Sequence, residues 1–138
     1  MTAFFNKSTD ISLLIIRITL SVLLSFHGFY KLLNGIGWME GLLSKAGLPF
    51  FIGYGVFIGE IIAPILIIIG YRTRIAALAV AFNMIMAVLL VFREQLFILK
   101  DAGGGWIIEL ETLFFACALA LFFTGGGKYA VSAKSTWD

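Results

Sequence analysis

ISLLIIRITLSVLLSFHGFYKLL, residues 11–33, decides the fold. It is an unbroken apolar run of helix length that nevertheless carries Arg17, His27 and Lys31. At a rise of about 1.5 Å per residue it reaches across a hydrocarbon core of about 30 Å. A charge held in hydrocarbon costs several kcal/mol, roughly 3 on insertion scales. Each of these side chains therefore has to find a partner, water or a ligand. Thr9 or Asp10 can cap the start of the run, and Asn34-Gly-Ile-Gly37 breaks it.

Three further apolar runs follow, at about residues 49–69, 75–92 and 106–123. Pro49 suits a first helical turn, and Gly70 suits a C-terminal cap. Gly125-Gly-Gly127 ends the last run. Mean hydropathy is +1.03, with 61% hydrophobic and 13% charged residues, so four helices of this length leave too little polar surface to cover them in water. The expected fold is all-α: one integral membrane domain over residues 1–138, a four-helix bundle in a lipid bilayer. The first run is too long for a cleavable leader and reads as an uncleaved span.

The formal net charge of +2 and the lack of a basic tract argue against nucleic acid as a partner. With one cysteine, Cys117, the chain cannot form an internal disulfide or a CxxC pair. A lone histidine among scattered carboxylates makes a poor metal site, and no metal is expected.

The connections add constraints. The short Gly70–Arg74 turn makes the second and third spans an antiparallel hairpin. The first connection, with Trp38, Met39 and Leu42, reads as a short amphipathic turn in the interface. Arg93 to Gly105 reads as flexible. Four spans put both termini on one side, with Lys7, Arg72, Arg74, Lys128 and Lys134; Lys31, Lys45, Arg93 and Lys100 lie opposite, so the termini side leads by one basic residue. That excess and the compact Arg72/Arg74 turn favour cytoplasmic termini.

Depth arithmetic arranges the polar residues in two layers. Arg17, Glu60 and Asn83 come out about 9, 14 and 12 Å from the termini side, which predicts a structural ion pair between Arg17 and Glu60 with Asn83 beside it. His27, Glu109 and Lys31 come out about 24, 21 and 30 Å deep, which predicts one pocket near the far face. At 100° per residue, Arg17, Leu24, Gly28 and Lys31 share a stripe, with His27 about 80° round from Arg17. Gly28, Gly53, Gly55 and Gly59 would let backbones approach closely. Pro64 removes a donor and frees the Glu60 carbonyl.

Plainer readings stand beside these. Arg17 and Glu60 can serve register alone. Lys31 can snorkel to the interface. Met84 and Met86 can pack as core or against lipid, and Cys117 as inert filler. The two triple-glycine stretches lack the context of a phosphate loop and read as breakers.

These residues resemble the DoxX family over essentially the whole chain. The resemblance rests on Arg17, His27-Gly28-x-x-Lys31-Leu32, Glu60 followed by a Leu/Ile-rich stretch and Gly70, Arg72-x-Arg74, and Glu109 before a Gly-x-Gly exit at Gly125–Gly127. Gly126 stands where proline is common in that family, and Ala130-Val-Ser132 replaces its usual Ser-Leu-Asp ending. The resemblance implies a four-helix membrane protein, and the family takes its name from a subunit of an archaeal thiosulfate:quinone oxidoreductase. The expected function is a membrane subunit or anchor of an oxidoreductase system, at most one subunit of the enzyme. A quinone is the expected cofactor, none being intrinsic, and a soluble or membrane redox partner supplies the electron carrier. His27 and Lys31 would bond a carbonyl oxygen, and Glu109 would relay a proton. The expected location is the bacterial inner (cell) membrane, multi-pass, with a homo-oligomer left open. Two alternatives remain: a small transporter or proton-linked channel, and a non-catalytic assembly factor.

Overall fold

The computed structural model describes residues 2–101, 103–132 and 135–138, with side chains from residue 8 onward. Lys134 and the side chain of Lys7, both counted in the charge balance, lie outside the described residues. The chain forms α1 (Thr2–Asn34), a 3-10 turn (Gly37–Met39), α2 (Glu40–Lys45), α3 (Phe50–Ile69), α4 (Thr73–Val91) and α5 (Glu109–Thr124). No strand occurs among the described residues beyond an isolated bridge between Leu99 and Trp106. Three stretches, Ser8–Asn34, Phe50–Ile69 and Thr73–Val91, are long and apolar enough to cross a membrane. The chain is a multi-pass membrane protein. The last helix, α5, has 16 residues, spans only about 24 Å, and packs along α4.

Helix α1 buries one stripe, Leu13, Arg17, Leu20, Leu24 and Gly28, spaced three, four or seven residues apart. The opposite face exposes Ile15, Leu33 and other large apolar side chains, as lipid requires. In a bilayer apolar burial favours association little, so close packing decides which faces meet. Helix α4 supplies Ala76, Ala77, Val80, Ala81 and Met84 to the core, a face small enough to admit Leu20 and Leu24 from α1 and Phe114 and Leu121 from α5. A second cluster, Ile36, Met39, Leu43 and Val56, fixes α2 against the start of α3.

Helix α3 is irregular. It opens as a 3-10 turn (Phe50–Tyr54), widens to a π-turn (Ile58–Ile62) and continues as an α-helix (Ala63–Ile69). The π-turn is closed by Ala63 N–H donating to the Ile58 carbonyl, five residues back. Pro64 explains it: the ring has no N–H and would collide with the Glu60 carbonyl in an α-turn. That carbonyl turns toward Gly28, where a Cβ would lie 2.6 Å from it.

At the termini side, α3 ends with Gly70 in the left-handed conformation, φ 73°. Tyr71 N–H donates to Leu66 O and Gly70 N–H to Ile67 O, a Schellman closure. The tail folds back on this end: Val131 N–H donates to Ile69 O and Ser132 N–H to Gly70 O. Lys128 N–H donates to Asp10 Oδ1 on α1, which brings the two ends of the chain to one face.

One expectation needs correction. The start of α1 is Thr2, well before residue 11. The Arg93–Gly105 connection, expected to be flexible, carries hydrogen bonds among its described residues: Lys100 N–H donates to Gly105 O, Ile107 N–H to Ile98 O, and the Trp106 indole N–H to Leu96 O at 2.6 Å.

Candidate functional site

The π-turn of α3 carries Glu60 into the bundle centre, where its side chain is 4% exposed. Its Oε1 accepts from the Lys31 ammonium at 2.5 Å and from Asn83 Nδ2 at 3.2 Å. Gly59 makes room for this arrangement, since a Cβ there would lie 2.5 Å from Asn83 Cβ. The other oxygen, Oε2, is buried and has no hydrogen-bond partner among the described residues.

Glu60 stands on the wall of a cavity of about 290 Å³ between α2, α3 and α4. Lys31, Glu60 and Asn83 are the charged and amide side chains on its wall. The remainder is apolar, including Trp38, Met39, Ala79 and Ala87. Glycines 53, 55 and 59 of α3 also line it; a Cβ at 55 would meet nothing within 4 Å, whereas one at 59 would meet Asn83 and one at 53 Leu43. Ile58 and Phe82, midway along α3 and α4, line it too, yet are 54% and 63% exposed, so its rim reaches the lipid-facing surface. An apolar cavity with a few convergent polar groups is the usual form of a small-molecule site.

The expected Arg17–Glu60 pair is not formed. Arg17 is fully buried and donates to three carbonyls: Nε to Ile67 at 2.8 Å, Nη2 to Ile68 at 2.7 Å and Nη1 to Gly126 at 2.9 Å. It caps the C-terminus of α3 and ties the tail to it. Asn83 does contact Glu60, but Lys31 is the cation there. The physical reason is side-chain direction. Helical side chains lean toward their helix N-terminus. Arg17 therefore leans toward the termini face, and Lys31 leans inward. Glu60, on the antiparallel α3, leans toward Lys31. Equating residue 11 with Ile69 also misjudged the level by roughly 10 Å, since Gly28 sits beside Glu60.

The expected pocket of His27, Lys31 and Glu109 is not formed either. His27 is exposed, with Nδ1 3.1 Å from the Leu23 carbonyl of its own helix and its ring edge-on to Phe114. Glu109 accepts from Lys100 at 2.6 Å at the exposed start of α5. Only Lys31 of the three reaches the cavity. Trp38, Met86 and the cavity itself were missed; the glycines of α3 beside Glu60 were the available signal. Among the described residues no group of three His, Cys, Asp or Glu side chains is placed to hold a metal ion.

A family model described as DoxX matches residues 12–93. The chain is 30% identical over 86 residues to "Putative oxidoreductase CatD" of Bacillus subtilis (strain 168), an alignment covering 62% of this chain and 63% of that protein. The chain thus spans just under two thirds of that relative's length. No solved structure matches it significantly. The matched stretch runs from within α1 to just past the end of α4 and takes in every polar residue on the cavity wall; the chain belongs to the DoxX family.

Proposed function

We propose that this chain is the membrane subunit of an oxidoreductase system and holds an apolar redox molecule of the quinone class in the cavity beside Lys31, Glu60 and Asn83. One observation carries the reading: a charged, hydrogen-bonded cluster stands on the wall of an otherwise apolar cavity that reaches the lipid-facing surface. The residues fit such a group. Spare N–H donors on Lys31 and Asn83 suit a carbonyl oxygen, and the apolar walls suit a ring and tail. A bound quinone would supply electron and proton carriage within the bilayer; this chain's side chains would bind and orient its head. The electron carrier would come from a partner protein. The likeness to a relative named as an oxidoreductase supports this assignment.

We also place the termini in the cytoplasm, in the inner membrane of a bacterium. With Lys31 drawn into the bundle, the excess of basic residues on the termini side rises from one to two.

Titration with decylubiquinone in nanodiscs tests the proposal through tryptophan emission, Trp38 being the one of the three tryptophans that lines the cavity. Wild type should show saturable quenching, and Ala87→Phe, which fills the cavity, should lose it. His27→Ala and Glu109→Gln should keep it. Quenching that survives Ala87→Phe, or its absence in wild type, would refute the site.

A further inference from the structure

We infer that the chain carries a second site, where α4 leaves the membrane, that holds the zwitterionic head of a phospholipid with a phosphate and a primary ammonium, as in phosphatidylethanolamine. It lies apart from Lys31, Glu60 and Asn83 and does not depend on what fills the cavity beside them.

A pocket of about 220 Å³ lies between the end of α2 and the exit of α4. Its wall changes character along α4. Leu89, Leu90 and Val91, in the last turn of that helix, join Leu42 of α2 on the apolar side. Leu89 is exposed, so this side opens to lipid. Immediately beyond, the 3-10 turn Arg93–Gln95 supplies Arg93, Glu94 and Gln95, and Lys45 joins them from the last turn of α2. A wall that turns from apolar to charged within two residues matches the boundary between acyl chains and head groups. Leu90 and Val91 also line the larger cavity, whereas these charged side chains line the pocket alone.

The charges are not spent on one another. Among the described residues no ion pair joins Lys45 or Arg93 to Glu94. Arg93 and Glu94 are consecutive in a 3-10 turn, so they project about 120° apart. Two cations on one small pocket repel each other unless an anion lies between them. The backbone holds both in place. Gly47, left-handed at φ 71°, closes α2: Leu48 N–H donates to Leu43 O and Gly47 N–H to Ser44 O, which fixes the turn that carries Lys45. Gln95 N–H donates to Phe92 O, which fixes the turn that carries Arg93. A phosphate answers both cations, the guanidinium as a fork and the ammonium as a point charge. Glu94 is then left over, and it disfavours a head that is only anionic. A primary ammonium on a short link from the phosphate donates N–H to that carboxylate. A glycerol head brings it no charge, and a trimethylammonium head brings charge with no N–H to give.

The test is native mass spectrometry of the whole chain in mild detergent, with POPE, POPC and POPG, which share their acyl chains, added in equal amounts. Wild type should retain POPE about two- to fivefold over either competitor, the range expected of one ion pair at an exposed site. Glu94→Gln should remove that preference and raise POPG relative to POPE. Lys45→Gln combined with Arg93→Gln should lower the retention of POPE and POPG together. All three side chains are exposed and make no bond among the described residues, so these variants should keep the fold, which thermal melting checks. POPG retained best by wild type would mark a merely basic patch and overturn the inference, as would equal retention of the three lipids. Displacement of POPE by an equal concentration of free phosphoethanolamine would overturn the lipid as occupant, since that head lacks the chains that Leu42 and Leu89 would meet.

Discussion

Lys31 and Glu60 form the one ion pair that the described residues place between two spanning helices, and its energetics follow from its burial. Removing one partner strands a charge at the bundle centre, at a cost of about 3–5 kcal/mol. Removing both costs far less, because apolar replacements need no desolvation. Lys31→Met and Glu60→Gln should each lower the melting temperature in detergent, and Lys31→Met combined with Glu60→Leu should recover most of the loss. Arg17 belongs to a separate network. Arg17→Met orphans three carbonyls, of which those of Ile67 and Gly126 are in buried bonds, at about 1–3 kcal/mol for each buried one. Arg17→Lys should rescue it only in part, because an ammonium cannot match a planar fork that reaches two chain segments. Combining Arg17→Gln with Glu60→Gln should give additive losses in a thermal-denaturation cycle.

The π-turn of α3 is where sequence and structure part company in an instructive way. Four apolar runs, the breaking glycines and Pro64 were all readable, since each acts locally on the backbone. The effect of Pro64 on the Glu60 carbonyl was readable too. What could not be read was which helix receives that carbonyl, because register between helices depends on where each leaves the bundle. Lys31 was legible as a charge in need of a partner; the inward lean that brings it to Glu60 comes from side-chain direction, which depth along the helix axis does not contain. His27 and Glu109 misled because a polar residue in an apolar run signals function only when it faces the interior. The close approach makes its own forecast. Gly28→Ala places a Cβ 2.6 Å from Glu60 O and from Ile61 Cγ1, so α1 must retreat. We expect about 1–3 kcal/mol of destabilisation, measured by thermal or denaturant melting, and a lengthened Lys31–Glu60 contact.

Across the whole molecule, the two helix C-termini that meet at the termini face are closed by arginine: Arg17 on α3, and Arg74 on α5 through Phe122 O and Phe123 O. Arg72, left-handed at φ 50°, donates to Ser135 Oγ, so the tail is stitched across that face. Both chain ends are thereby held together. In a Cys117→Ala background, cysteines at positions 8 and 132 should label from one side of the membrane; labelling from opposite sides would rule out the arrangement. The exposed Ile58 and Phe82 at the cavity rim carry a further consequence, for how binding must be measured. A mouth halfway down two spans is approached through lipid, so the relevant concentration is molecules per lipid and not molecules per litre. Each methylene added to a ligand's tail favours partition by about 0.8 kcal/mol, close to fourfold. Apparent aqueous affinity should climb by that factor along a homologous series, whereas affinity expressed as mole fraction should stay nearly flat. Empty vesicles added at constant total ligand should drain the cavity by dilution in two dimensions.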